Sequence, residues 1–229
     1  MLDIITITRD DIASFVRTID STKTLREDFN VNQIIIDSSI KSTGNKIKKI
    51  AIQNKNTSYH WQNPSGISSA FNYGLSLSKE TWIWFLNGGD EVHPYLNTGF
   101  FLNLLTKSNA DAIIFQLEYI QSSKTIRHPQ MWATWPPLLS WIPHPSAITR
   151  RYLYNKYGYF DKSLKIAMDY EFWIRCFSKD VVVDLVSVPI ARFNEEGASS
   201  KLNKQIKAEV ETVIRRHFWL IMKKWLWTA

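Results

Sequence analysis

Between residues 3 and 120 the chain alternates two kinds of segment. Short runs rich in isoleucine, threonine and aromatic residues are separated by stretches whose apolar residues recur at helical spacing. This alternation constrains the fold more than any other feature, because strands joined through helices pair most simply in parallel, by right-handed crossovers. The expected strands are 3–8 (DIITIT), 31–37 (VNQIIID), 48–54 (KKIAIQN), 81–87 (TWIWFLN) and 111–120 (DAIIFQLEYI). Residues 11–21 place Ile12, Phe15, Val16 and Ile19 at helical intervals. Residues 65–78 do the same with Ile67, Phe71 and Leu75 behind Ser65 as the expected N-cap, and 94–108 read as a helix opened by Pro94. The pattern specifies an α/β domain with a largely parallel sheet.

In such a sheet ligands bind off the carboxyl ends of the strands. Acids stand at those ends: Asp10 and Asp11 after the first run, Asp37 after the second, Asp90 after the fourth. The last is the most unusual. The apolar run Trp82–Leu86 stops at Asn87, Gly88, Gly89 and Asp90, and Glu91, His93 and Pro94 come next. Two readings stand: a turn in which Asp90 bonds its own backbone, or a backbone cleared so that a ligand approaches the carboxylate.

Beyond Gln121 the alternation lapses. Trp132, Trp135 and Trp141 are interleaved with Pro129, Pro136, Pro137, Pro143 and Pro145, which reads as an irregular covering segment. Strand and helix return over 146–158, a helix over 167–179 and an extended run over 181–193. No internal repeat is visible.

Several chemistries are excluded. The motifs of P-loop enzymes, dinucleotide-binding folds, zinc peptidases and α/β-hydrolases are all missing. Cys176 is the single cysteine, so neither an internal disulfide nor a cysteine-based zinc site can form; its apolar neighbours mark it as a buried small residue. Residues 1–11 carry three acids and no basic stretch of a signal peptide, and no run of about 18 apolar residues could span a bilayer. A cytoplasmic location is the expectation. Net charge is +7, of which the segment from Lys201 onward holds +5. A nucleic-acid-binding protein would spread basic charge over its folded surface, so no nucleic-acid partner is expected.

Seven pieces in order, DIITIT, IIIDSS, SGISSAFNYGL, WIWFLNGGD, IPHPSAITRRYLY, YGYFDKSLKIAMDYEFWIR and EEGASS, resemble the family 2 glycosyltransferases of the GT-A fold, in particular the bacterial branch that builds surface polysaccharides. The resemblance covers about residues 2–200 and implies inverting transfer of a sugar from a nucleotide diphosphate, most often UDP, to a hydroxyl of a glycan or lipid-linked acceptor. It implies a divalent cation, Mn²⁺ or Mg²⁺, held at Asp90, with Gly88 and Gly89 letting the donor lie close to the backbone. It assigns Asp169 as the catalytic base. For the donor it implies contacts from Asp37 to base or ribose, from Thr8 and Arg9 beside the base, from Gly66 at a helix N-terminus, and from His144. Asn72 and Gly74 are expected to set helix packing beneath the donor. Each acid has a plainer reading: an Asx turn at Asp37, a helix N-cap at Asp169. The family's acid motifs are thinned here, since Asn87 and Gly89 fill positions often acidic and Met168 precedes Asp169, with Glu171 the nearest other acid. The alternative is therefore a non-catalytic nucleotide-sugar-binding module.

Residues 201–229 form a basic tail after a catalytic domain of 1–200. Ile206, Val210, Val213 and Ile214 share a helical face suited to packing on the domain. Beyond Arg216 the sequence FWLIMKKWLW mixes tryptophan and lysine, as segments at an anionic membrane surface do.

Overall fold

The computed structural model describes residues 1–121, 125–126, 142–177, 179, 181–195 and 203–228, with backbone alone for 125–126, 203–204 and 223–228. The expected covering segment with Trp132, Trp135 and Trp141, and the 196–200 part of EEGASS, lie outside the described residues.

The first half runs β1 (Leu2–Thr8), α1 (Ile12–Ser21), α2 (Lys23–Phe29), β2 (Asn32–Asp37), α3 (Lys41–Ile52), β3 (Thr57–Trp61), α4 (Ile67–Leu77) and β4 (Trp82–Phe85). β1 pairs in parallel with β2 on one side and β4 on the other, and β2 pairs in parallel with β3. The chain thus steps outward from β1 to β3, then returns across β1 to lay down β4. That reversal leaves a crevice off the carboxyl ends of β1 and β4, the place where open α/β sheets bind ligands.

The second half comprises β5 (Glu91–Val92), α5 (Thr98–Lys107), β6 (Ala112–Tyr119), β7 (Thr125–Ile126), β8 (Ala147–Arg150), α6 (Tyr152–Tyr157), α7 (Met168–Phe177), β9 (Val183–Phe193) and α8 (Asn203–Thr228). Here the pairing is mixed. β8 inserts antiparallel between β4 and β6, β9 runs parallel to β6, and β5 closes antiparallel on β9. The described sheet has the order β3-β2-β1-β4-β8-β6-β9-β5, with β7 beside β6.

Alternation along the strands builds the two faces of the core. Ile5, Ile83 and Phe85 pack with Phe71 and Leu75 of α4, whereas Leu2, Ile4, Trp82 and Trp84 pack with Phe101, Leu102 and Leu105 of α5. Full burial of each such side chain stabilises the fold by about 1.5–3 kcal/mol. α4 lies directly on β1: a β-carbon on Gly74 would stand 2.4 Å from Ile5 Cγ2. Asn72 pairs with the backbone of Phe160 in both directions, through Nδ2 to the carbonyl at 2.8 Å and Oδ1 from the amide at 3.0 Å. Both residues serve packing.

Three local expectations are corrected. Residues 48–54 are not a strand; they end α3 and run past it. Ile47 and Ala51 are fully buried one helical turn apart, while Ile52, which would share a strand face with Ile50, is 66% exposed. The strand lies instead at Thr57–Trp61. α4 is capped at Gly66 and not Ser65, whose hydroxyl bonds Ser69. α5 opens at Thr98, with Asn97 accepting from the Phe100 amide at 2.9 Å, a stronger start than Pro94 could give.

α8 packs through Val210, Val213, Ile214 and Ile221 on the cluster that includes α7. Cys176 is buried there and its thiol is pushed up to about 12 by burial.

Candidate active site

The loop after β4 is built from its own backbone outward. Gly88 N donates to Ile7 O at 2.9 Å, continuing the β1–β4 ladder past the end of β4. Thr18, buried on the inner face of α1, staples residues 87–90. Its hydroxyl lies 2.7 Å from Asp90 O and 3.1 Å from Asn87 O, and it accepts from Gly89 N at 2.8 Å. The two glycines are demanded by this packing. A β-carbon at Gly88 would meet Thr8 Oγ1 at 3.1 Å; at Gly89, where φ is +111°, it would meet Asn194 Nδ2 at 2.7 Å. Thr8 and Asn194 occupy the space that β-carbons at these two positions would enter.

Asp90 is 3% exposed, and its oxygens accept from Asn87 N at 3.2 Å and Asn194 N at 3.1 Å. Burial pushes its carboxyl up to about 6, against the opposing pull of His144 and the two amides. Beside it, Asn87 Nδ2 lies 2.7 Å from His144 Nε2, and Asn87 Oδ1 is buried with no hydrogen-bond partner among the described residues. His144 Nδ1 stands 3.7 Å from Asp169 Oδ2. The two ring nitrogens of His144 thus face Asn87 on one side and Asp169 on the other. Asp90, Asn87, His144 and Asp169 therefore form one continuous polar line from the end of β4 to the start of α7.

Distant parts of the chain hold that line. Trp84 on β4 donates through Nε1 to Pro145 O at 2.9 Å, fixing the turn that carries His144, and Phe71 of α4 meets the imidazole edge-on at 5.3 Å. Ser68 of α4 donates to Leu164 O at 2.7 Å and ties down the approach to α7. Asp169 lies inside the first turn of α7, with Oδ1 accepting from Tyr170 N at 2.8 Å.

The family-model match falls on this framework: the glycosyl transferase family 2 model matches residues 3–182. The chain belongs to glycosyl transferase family 2. Among solved structures, S. aureus TarS 1–349 in complex with UDP-GlcNAc is similar with a TM-score of 0.70 and 15% identity, over 86% of this chain and 59% of that one. The same fragment in complex with UDP gives 0.70 and 13%, over 84% and 60%. A longer S. aureus TarS gives 0.69 and 14%, over 84% of this chain and 36% of that one. The likeness is one of fold, the GT-A fold, and this chain spans well under two thirds of these three chains. No curated protein matches it.

Against the family 2 expectations, the structure brings Thr8, Gly88, Gly89, Asp90, His144 and Asp169 together through the contacts above. Asp37 is different. It is fully buried, with Oδ1 accepting from Ser39 N at 2.8 Å and Oδ2 from Tyr59 OH at 2.7 Å. The Asx-turn reading holds, and the carboxylate is closed to a ligand in this structure. Arg9 is exposed, 3.7 Å from Asp10, and Gly66 is exposed at φ +95° with open space around it; neither joins the polar line. Glu171 does not stand in for a second site acid. It binds Arg175 at 2.8 Å and His217 at 2.9 Å. Burial would raise its carboxyl, yet these two partners hold it below the usual range. Arg175 directs its other donors to the carbonyls of Tyr157, Gly158 and Tyr159, a core-edge ion pair.

Sequence reasoning missed Thr18, Asn194 and Gln62. Thr18 had a signal, a polar residue between Phe15 and Ile19 on an apolar helical face. Asn194 had none, since it reaches Asp90 across 104 residues. Gln62 comes after β3, donates its amide to Asp37 O at 2.9 Å, and keeps a buried Nε2 without a hydrogen-bond partner among the described residues.

Proposed function

We propose that this chain transfers a glycosyl group from a UDP-sugar to an acceptor hydroxyl with inversion at the anomeric carbon. The observation that carries the reading is the polar line Asp90–Asn87–His144–Asp169 at the switch point of the sheet. The solved TarS complexes with UDP and UDP-GlcNAc support the donor class through a shared fold. In the reaction, Asp169 accepts the proton of the acceptor hydroxyl as its oxygen bonds to the anomeric carbon. The bond from that carbon to the phosphate oxygen breaks, and its electron pair leaves with the nucleoside diphosphate. Inversion needs one base and no enzyme nucleophile. His144 orients Asp169 and links it electrostatically to the Asp90 end.

The residues fit a divalent cation. The buried Asn87 Oδ1 lacks a partner among the described residues, and the Asp90 carboxylate is held beside it at an energetic cost that a cation would relieve. Among the described residues no group of three or more His, Cys, Asp or Glu could hold a metal, so the donor set is small. That suits Mg²⁺ or Mn²⁺, which takes most of its ligands from phosphate and water. Asp90 and Asn87 would hold the ion, which when bound neutralises charge on the leaving diphosphate.

The outward side of α8 supports a placement of this chemistry at an anionic membrane, where a lipid-linked glycan acceptor of polysaccharide synthesis would be met. Phe218, Trp219 and Leu220 are 46%, 81% and 38% exposed, and the tail carries +5. Interfacial aromatic residues and basic groups bind such surfaces together. The expected side-chain roles of Lys223, Lys224, Trp225 and Trp227 lie outside the described side chains. No described helix is long and apolar enough to cross a membrane. Because Ile221 belongs to the core, the clean test is Phe218→Ser/Trp219→Ser and not truncation. The native chain should co-sediment with anionic vesicles at low salt and the double variant should not; equal sedimentation rejects this placement.

The activity itself is tested by UDP release from a panel of UDP-sugars with lipid-linked acceptors, with and without Mn²⁺. Metal-dependent release supports transfer. Tight UDP binding without release would instead establish the binding-module reading, which the single acid of the 87–90 loop favours.

A further inference from the structure

α7 carries Asp169, whose Oδ1 accepts from the Tyr170 amide inside the first turn. The first four amides of a helix need partners from outside it, and a Ser, Thr, Asp or Asn before the first turn normally supplies one. Here Glu171 N bonds Ala167 O at 3.0 Å, so Ala167 holds the cap position with only a methyl group. Glu209, on α8, holds the residues that lead into the helix. Its carboxylate accepts from Lys165 N at 3.1 Å, Ile166 N at 2.9 Å and Ala167 N at 3.0 Å. Burial would raise this carboxyl, but the three amides and Gln205 bring it below the usual range, so it stays ionised. A negative charge at this point also opposes the helix dipole favourably. Arg216 anchors the same helix to Asp161 at 2.6 Å, and His217 anchors it to Glu171 at 2.9 Å. α8 therefore grips the segment on both sides of Asp169. All of these gripping residues lie beyond residue 182, where the family match ends.

We propose that Glu209 is a positioning residue for catalysis: by holding the Lys165, Ile166 and Ala167 amides from α8, it fixes the chain entering α7 and with it the first turn that aims Asp169 at the acceptor. The inference rests on Asp169 being the base. A displacement of about 1 Å in a reacting group can cost 10²-fold in rate, so a frayed first turn is enough to matter.

The test uses the full chain and four forms: Glu209→Ala, Glu209→Gln, Asp169→Asn and the double variant Asp169→Asn/Glu209→Ala. kcat for UDP release, UDP affinity by calorimetry and thermal unfolding are measured on each. Glu209→Ala should lower kcat by about tenfold or more while UDP affinity stays within about twofold. Glu209→Gln should recover part of the rate, since its amide oxygen still accepts amide protons. In the Asp169→Asn background, Glu209→Ala should cost almost nothing further, because the group it aims is gone. A purely structural contact would lower the residual rate of that background and weaken UDP binding in step, and that result overturns the proposal. So does an Asp169→Asn variant that loses turnover while Glu209→Ala keeps it. If Asp169→Asn turns over like the native chain, the base assignment itself fails. Should Glu209→Ala not fold, the Glu209→Gln comparison with and without Asp169→Asn decides the same question.

Discussion

The ends of β2 and β4 look alike in sequence and have opposite surroundings. Each apolar strand runs to a buried aspartate in the same parallel half of the sheet. At the β2 end the carboxylate is occupied by neutral donors: Ser39 N and Tyr59 OH take the two oxygens of Asp37, and the tyrosine proton is held more tightly than usual by burial and by Asp37. At the β4 end demands remain. Asp90 is driven toward its neutral form, Asn87 Oδ1 has no partner among the described residues, and His144 points toward Asp169. A buried polar group normally finds its partners within the protein. The protonation pressure on the carboxylate and its link to other polar side chains, and not the presence of an acid at a strand end, separate the two ends.

The largest expected effect tests whether the β4 side is chemical. Asp169→Asn should keep UDP affinity and lower kcat by roughly 10²- to 10⁴-fold, the range of general-base catalysis. If donor binding and turnover vanish together, Asp169 belongs to binding or folding instead.

The next effect sharpens the contrast in stability. An acid whose proton is held to about pH 6 in the folded chain, against 3.8 ordinarily, binds more protons folded than unfolded between those values. The native chain therefore loses stability from Asp90 as pH rises through that window, and the loss is complete above it. An amide in place of this carboxyl would not titrate. The stability of Asp90→Asn relative to the native chain should rise by roughly 3 kcal/mol between about pH 3.5 and 7 in metal-free buffer. Urea unfolding at several pH values measures the difference, and a flat difference contradicts the account of a strained carboxylate.

The smallest effect concerns the β2 end. Tyr59→Phe removes one charge-assisted hydrogen bond and should destabilise the chain by about 2 kcal/mol. Turnover at saturating donor should be unchanged. A loss of donor affinity with stability intact would reopen Asp37 as a nucleotide contact.

The parallel half was legible because its signals are local. Ile5 and Ile7, or Trp82 and Trp84, alternate within a few residues, and each strand ends on its own acid. Asp90, His144 and Asp169 were legible as members of motifs. What was not legible is what joins them. Thr18 reaches the loop across 72 residues, Trp84 reaches Pro145 across 61, and Glu209 reaches Ala167 across 42. Such contacts arise from packing the two halves together, and no periodicity announces them. The misread strand at 48–54 has a similar cause: within seven residues Ile50 and Ile52 look alternating, and only Gly44 and Ile47 upstream reveal the helical repeat.

The central claim, that the β4 end holds the donor's cation while the β2 end is closed, is tested most directly by calorimetric titration of UDP into the native chain, Asp90→Asn and Tyr59→Phe, with and without Mn²⁺. The account predicts that Mn²⁺ tightens UDP binding in the native chain and in Tyr59→Phe, and that Asp90→Asn loses this gain while keeping its metal-free affinity. An undiminished Mn²⁺ gain in Asp90→Asn would contradict it.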